Sequence, residues 1–445
     1  MKRTTRALCL LASAAVLAGA RPAHSTTAAA IFAQGPKLLG AGVTGSIGAQ
    51  QGASVALSAD GNTAIVGGTW DDTQLGAAWV FTRFNGVWQQ QQKLIGSGAV
   101  GIAYQGASVA LSADGNTAIV GGPFDSSSVG AAWVFTRSGN VWTQQGNKLV
   151  GTGGYGASKQ GVSVALSADG NTALVGGSGD NGGSGAAWVF TRSNGAWSQQ
   201  GDKLYSTDKL GLPQEGTSVA LSADGDTAII GGVADDSNAG AVWIFVRSEG
   251  SWSPQGGKLH AIDANGPAQL GTAVALSSDG NTAIVGGPGD DAYKGAAWIF
   301  SRSGTSWTQD GDKIVRSISL AGEGGGTSVA ISGDGETIVM GCPAADGSAG
   351  GAWVFTKYGN IWLQRGARIW GTAAIGGAYQ GQSVALSADG TTAMLGGPSD
   401  SSLAGAAWIF RRFGSTGDVN GDAATNVSDV FYLINFLFAG GPAPQ

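Results

Sequence analysis

Apolar residues along the chain fall in short runs punctuated by glycine and polar turns. Ser54-Val55-Ala56-Leu57-Ser58 reads as a strand, and Ala59-Asp60-Gly61-Asn62 reads as a tight turn, its Asp-Gly supplying the positive φ that hairpins need. Thr63 to Val66 returns as a second strand and ends at Gly67-Gly68. A polar loop with Asp71 and Asp72 leads to a third strand, Ala77 to Thr82. Asn85-Gly86 makes another hairpin, and Val87 to Leu94, with Trp88, is the fourth strand. The runs are nearly continuous rather than alternating, which predicts strands covered on both faces.

This unit occurs seven times. Its turn aspartate recurs at Asp60, Asp114, Asp169, Asp224, Asp279, Asp334 and Asp389, and Trp79, Trp133, Trp188, Trp243, Trp298, Trp353 and Trp408 follow at a constant offset. Four antiparallel strands per unit and seven units predict an all-β fold, a seven-bladed β-propeller of four-stranded blades. The seventh unit ends after Trp408-Ile409-Phe410 without a fourth strand. Ile31 to Leu38 matches the missing piece, as comparison with Val141 to Leu149 shows. The N-terminal strand is therefore expected to close the ring, which spans 31–413.

Composition agrees with this reading. Glycine accounts for 79 of 445 residues, far above the usual ~7%, while charged residues make up only 12%. Such a chain is too apolar and too weakly charged for disorder, and too rich in glycine for long helices. Residues 1–25 read as a secretory signal: Lys2, Arg3 and Arg6 precede an apolar stretch, and Ala18-Gly19-Ala20 fits a cleavage site. Their removal takes four basic residues from the 24, leaving 20 against 30 acids. That acidic balance disfavours nucleic acid and anionic lipid. It also leaves Cys342 alone, so no intrachain disulfide is expected, and no run is long enough for a transmembrane helix.

The units resemble the FG-GAP repeat of integrin-α-type propellers. Gln105-Gly106-Ala107-Ser108-Val109-Ala110, Gly121-Gly122-Pro123 and Gly130-Ala131-Ala132-Trp133-Val134-Phe135 carry the likeness. Gln, Glu, Leu or Gly stands where the family has the Phe of Phe-Gly, and Cys342 stands where it has the Ala of Gly-Ala-Pro. Each hairpin holds one or two acids in place of the family's Asp-x-Asp-x-Asp-Gly calcium loop. The resemblance implies a propeller that binds or adheres.

The repeated tryptophans are expected in the core. Trp70 and Trp370 lie in loops outside the pattern and are better ligand candidates. The loop after each second strand collects Asp71, Asp72, Asp125, Asp180, Asp235, Asp236, Asp290, Asp291, Asp346 and Asp400 at one rim, where loops between blades such as Tyr104-Gln105 and Tyr379-Gln380 also open. This rim is the expected binding face, for an extracellular protein or glycan; a solvated acidic edge that aids solubility is the competing reading. Arg83, Arg137, Arg192, Arg247, Arg302, Lys357 and Arg412 are expected to pair with the hairpin aspartates on the opposite face. No Ser/His/Asp or Cys/His set can be assembled, because His260 is the only histidine left after the leader.

The composition changes after Gly414. Asp418, Asn420 and Asp422 occupy positions 1, 3 and 5 of a loop, with Asn426 at 9 and Asp429 at 12, a spacing that suits Ca2+. Ala423 takes the place of the usual glycine at position 6. An EF-hand-like loop and helix is expected over 414–445, with an apolar stripe along Val427, Val430, Phe431, Ile434 and Phe438. The segment resembles one half of a dockerin type I module, which implies a cohesin-like partner or a second copy of itself. The chain as a whole reads as an exported, non-catalytic binding propeller with a calcium-dependent docking tail. An extracellular glycoside hydrolase, or a component of a polysaccharide-degrading assembly, is the alternative.

Overall fold

The computed structural model describes residues 32–45, 48–317 and 319–412. Seven four-stranded antiparallel sheets form the blades of a β-propeller. In the first blade the strands are β2 (Gln51–Leu57), β3 (Thr63–Gly68), β4 (Ala77–Phe84) and β5 (Val87–Leu94), paired in that order. The innermost strands of successive blades pack on one another, and the first also packs on the seventh, so the ring closes. Closure uses β1 (Phe32–Leu38), which pairs antiparallel with Ala406–Arg412 from Phe32↔Arg412 to Leu38↔Ala407. The N-terminal strand supplies the missing outer strand of the seventh blade, as the repeat predicts.

The core lies between blades. Ile65, Ala78 and Val80 of the first blade pack with Val120, Trp133 and Phe135 of the second. Val66 and Trp79, on the other side of the first blade, pack with Met394 and Ile409 of the seventh. Every residue of β3 is buried, which is why its apolar run does not alternate. The third-strand tryptophans are all buried. The tryptophans of the outer strands are buried at Trp142 and Trp307 and half-buried at Trp88, Trp197, Trp252 and Trp362.

Strand order gives the ring two faces. The hairpins after the first and third strands of each blade lie on one, here the hairpin face. The loops after the second strands and the connections between blades lie on the other, the loop face. On the hairpin face a closed belt of backbone bonds circles the axis: Ala59 N–H to Ala113 O, Ala113 to Ala168, and onward through Ala223, Ser278, Gly333 and Ala388 back to Ala59, at 2.8–2.9 Å. A second belt on the loop face joins each blade to the next by parallel bridges, from Gly76↔Gln105 round to Gln51↔Gly405. Gly106 shows why glycine recurs there: its φ is +87°, and a Cβ would stand 2.3 Å from the Ala77 carbonyl oxygen.

The Ser-Ala-Asp-Gly turn is tied internally. Ser58 Oγ donates to Asp60 Oδ1 at 2.6 Å, the Asn62 N–H donates to the same oxygen at 2.9 Å, and Asn62 Nδ2 donates to Oδ2. Burial works to raise the pKa of Asp60, but these bonds, helped by the Arg83 charge, bring it below the usual carboxylate value. The arginines do not pair with these aspartates. Arg83 Nε donates to the Asn62 side chain at 2.8 Å and Arg137 Nε to Asn116 at 2.9 Å. Among the described residues an ion pair forms at this position only in the fourth blade, where Asp226 replaces asparagine and meets Arg247 at 2.6 Å. The carboxylate of the turn is saturated by its own loop, so the guanidinium takes the next residue.

Candidate functional site

The loop face is built from three segments in every blade: the incoming connection, the loop after the second strand, and the end of the outer strand. In the second blade Asp125 ties all three. Its Oδ1 accepts the Val100 N–H at 2.7 Å, and its Oδ2 lies 2.5 Å from Lys148 Nζ. The same arrangement joins Asp71 to Thr44 and Lys93, Asp180 to Tyr155 and Lys203, Asp235 to Leu210 and Lys258, Asp290 to Asn265 and Lys313, and Asp400 to Ile375 and Lys37. Lys37 comes from β1, so the N-terminal strand completes the seventh blade chemically as well as by pairing.

Each aspartate opens a turn whose next residues are left-handed. Asp72 and Thr73 have φ of 47° and 57°, and Ser126 and Ser127 have 52° and 57°. Left-handed backbone costs about 1–2 kcal/mol per residue outside glycine. A buried carboxylate with a lysine and a backbone donor offsets that strain and fixes the loop.

Six of the ten rim aspartates are therefore buried: Asp71, Asp125, Asp180, Asp235, Asp290 and Asp400. Asp72, Asp236 and Asp346 are exposed, and Asp291 is half-buried. Asp291 pairs with Lys294 at 2.8 Å, and Asp346 with Arg368 at 2.9 Å. Trp370 is exposed beneath the Arg368 guanidinium, 5.3 Å from its ring, while Trp70 is half-buried at the start of the first-blade loop. Trp70 and Trp370 belong to the first blade and to the connection after the sixth, with the seventh blade between them. The ring does not bring the ten carboxylates to one centre. Among the described residues no group of three acidic, histidine or cysteine side chains could hold a metal ion. The candidate calcium ligands Asp418, Asn420, Asp422, Asn426 and Asp429, like the leader 1–25, lie outside the described residues.

Apolar side chains crown this face. In four of the six junctions the residue whose N–H the buried aspartate holds is a large apolar or aromatic one turned to solvent: Val100 is 58% exposed, Tyr155 73%, Leu210 51% and Ile375 64%, while Thr44 and Asn265 stand at the other two. Ile102, Leu212, Ile262 and Tyr293 add to the set. Composition and motif reading miss this crown, because it is defined by the partner of a buried carboxylate. A signal was present all the same, since a lysine follows Asp125, Asp180, Asp235 and Asp290 by 23 residues and Asp71 by 22, while Asp400 takes Lys37 from the N-terminal strand.

Gln105 and Gln380 are not available to a ligand. Gln105 is fully buried; its Oε1 accepts the Gly96 N–H at 2.6 Å, and its Nε2 donates to the Gly96 carbonyl at 2.9 Å. The same clamp joins Gln51 to Gly40, Gln160 to Gly151 and Gln380 to Gly371. The glycine is needed because a Cβ on Gly96 would stand 2.2 Å from the Trp133 ring. In the fourth blade the pair is Glu215 with Ser206, whose N–H and Oγ both donate to the carboxylate. Burial pushes the Glu215 carboxyl above its usual range against those bonds and the pull of Lys209.

The sixth blade departs most. Ala345 takes the place of the buried aspartate, and Glu323 accepts the Leu320 N–H instead, at 2.8 Å. Glu323 also pairs with the buried Arg316 at 3.0 Å. Cys342 is buried there, its Sγ donating to Glu323 O at 3.0 Å, and burial raises its thiol to about 11.

Fold and loop face together define a seven-bladed β-propeller with a rigid frame and an apolar rim. Residues 252–300, from the outer strand of the fourth blade through the third strand of the fifth, match the FG-GAP repeat. No curated protein is significantly similar to the chain. The match and the seven-bladed fold together support an FG-GAP propeller, a fold that suits binding and adhesion and is typically non-catalytic. No helix among the described residues is long and apolar enough to cross a membrane.

Proposed function

We propose that the chain is an exported, non-catalytic binding protein that meets an extracellular protein through the loop face. The apolar crown carries this reading. Val100, Tyr155, Leu210, Leu320 and Ile375 stand outward at the same place in five blades, and in four of them a buried carboxylate–lysine pair fixes the backbone beneath. Apolar side chains held outward on rigid backbone are poor for solubility and good for partner binding, because little conformational entropy is lost on contact. The outward carboxylates Asp72, Asp236, Asp291 and Asp346 lie beside them and suit a polar border.

The tail is the proposed anchor. Asp418, Asn420, Asp422, Asn426 and Asp429 have the all-oxygen side chains and spacing that suit Ca2+, and the helix expected from the sequence after them would offer an apolar stripe to an assembly partner or a second copy. Phe32 pairs with Arg412 at the hairpin end of the seventh blade, so the chain enters and leaves the ring on the side away from the crown. Anchoring there leaves the loop face free.

A pull-down from envelope and matrix material, with and without calcium, tests both halves. The whole chain is expected to retain a partner that the triple variant Val100→Asp, Leu210→Asp, Ile375→Asp loses. Asp418→Ala with Asp422→Ala is expected to remove calcium uptake in calorimetry of the full chain. A triple variant that binds as before would exclude the loop face.

A further inference from the structure

The outer-strand tryptophans are treated alike in five blades and differently in the sixth. In the first five, an arginine guanidinium lies 5.4–5.6 Å from the ring: Arg83 over Trp88, Arg137 over Trp142, Arg192 over Trp197, Arg247 over Trp252 and Arg302 over Trp307. From the second blade to the fifth, the indole N–H also donates to a glutamine of the preceding blade at 2.8–3.0 Å, as Trp307 does to Gln255. In the sixth blade Lys357 replaces the arginine and Asp310 replaces the glutamine. Lys357 turns to Asp310 at 3.4 Å, and Asp310 also accepts from Ser301 at 3.0 Å. Trp362 loses both attachments. Its buried Nε1–H has no hydrogen-bond partner among the described residues, and among them no cation covers its ring. Beside it, along the seam between the outer strands of the fifth and sixth blades, lies a groove of about 470 Å³ lined by Asp310, Asp312, Asn360, Ile361, Trp362 and Gln364.

We infer that this seam binds a neutral pyranose unit of a glycan. The half-buried Trp362 ring packs in part on the core between the fifth and sixth blades and also lines the groove, where it can meet the C–H face of a sugar ring. Ring hydroxyls can accept from Trp362 Nε1 and donate to the Asp310 and Asp312 carboxylates, while the Asn360 amide does either. An organic cation could meet the carboxylates and the ring but offers no acceptor to the Trp362 N–H, so a hydroxyl-bearing ligand gains a hydrogen bond there that a cation does not. Lys313, which also borders the groove, is held 2.6 Å from Asp290 and leaves the site without a free cation to select an anion. The volume falls within the ~300–1,000 Å³ typical of ligand sites. The groove runs along the side wall of the ring and does not depend on the loop face or its partner.

Saturation-transfer NMR on the full chain tests the assignment, using the methyl glycosides of glucose, galactose and mannose, with tetramethylammonium as the cationic probe. Transfer to at least one glycoside is expected. The variant Asp310→Gln with Lys357→Arg restores the side chains of the other blades; it is expected to melt no lower than wild type and to lose about tenfold or more in affinity. Asn360→Ala sits at an exposed hairpin and is expected to weaken binding severalfold without a change in melting. Transfer to no glycoside, transfer to tetramethylammonium alone, or wild-type affinity in both variants would overturn the site.

Discussion

Lys258 Nζ lies 2.6 Å from Asp235 Oδ2, and the other oxygen of that carboxylate accepts the Leu210 N–H at 2.6 Å. One buried charge thus joins segments some 25 residues before it and 23 after it. Six blades contain this junction. A buried pair of this kind adds little over an apolar pair of the same volume, but losing one member strands the other.

Asp125→Ala is therefore expected to destabilise the ring by about 3 kcal/mol, because Lys148 keeps its desolvated position and Val100 loses its acceptor. Asp346→Ala, at an exposed carboxylate, is expected to change stability by less than ~0.5 kcal/mol. Denaturant unfolding of the two variants checks the contrast, and hydrogen exchange at the Val100 amide should speed up only in the first.

The hairpin aspartates set the acid limit. Asp60, Asp114, Asp169, Asp279 and Asp389 are desolvated, yet hydrogen bonds from the serine and the residue two positions on hold all five below the usual value. A carboxyl lowered on folding stabilises the ring fully above its unfolded pKa and ceases to do so as pH falls through its folded one. Stability should thus stay level at neutral pH and fall below about pH 4. Asp114→Asn should be less stable at neutral pH, and its acid decline should be shallower in unfolding measured across that range.

Glu215 has the opposite sign. Its folded pKa is raised, so its contribution is most favourable when it is protonated and is lost as pH rises through the folded value. Glu215→Gln restores the amide that clamps glycine at Gln51, Gln105, Gln160 and Gln380. The variant is expected to melt about 1–3 °C above wild type at neutral pH, with the gap narrowing under acid conditions. Calorimetric scans at two pH values decide it.

Removing 31–38 should open the ring. It strips the outer strand from the seventh blade, leaves Asp400 buried without Lys37, and takes a lysine from the Trp408 ring, 5.4 Å away. A fall in melting temperature on the order of 10 °C is expected. An unchanged curve would show that the ring does not need its closing strand.

Much of this architecture is legible in the residues. Asp-Gly turns and a tryptophan at fixed offset in all seven units, with Gly-Gly strand ends in six, encode local geometry, and that repetition leaves a ring as the arrangement that covers every blade on both faces. The surplus matching piece at Phe32 to Leu38 marks how the ring closes. The direction of the carboxylates was decided elsewhere. Asp71 and Asp72 are neighbours in one polar loop, yet one is buried against Lys93 and the other exposed. That division follows from a left-handed turn and from partners on segments distant in sequence. Likewise the glutamine that precedes the repeated glycine in four units reads as a surface loop residue until Gln105 is seen clamping Gly96 beneath Trp133. Period and turn chemistry are properties of neighbouring residues and can be read along the chain. Burial of a polar group depends on which remote donors arrive beside it, and only the closed ring settles that.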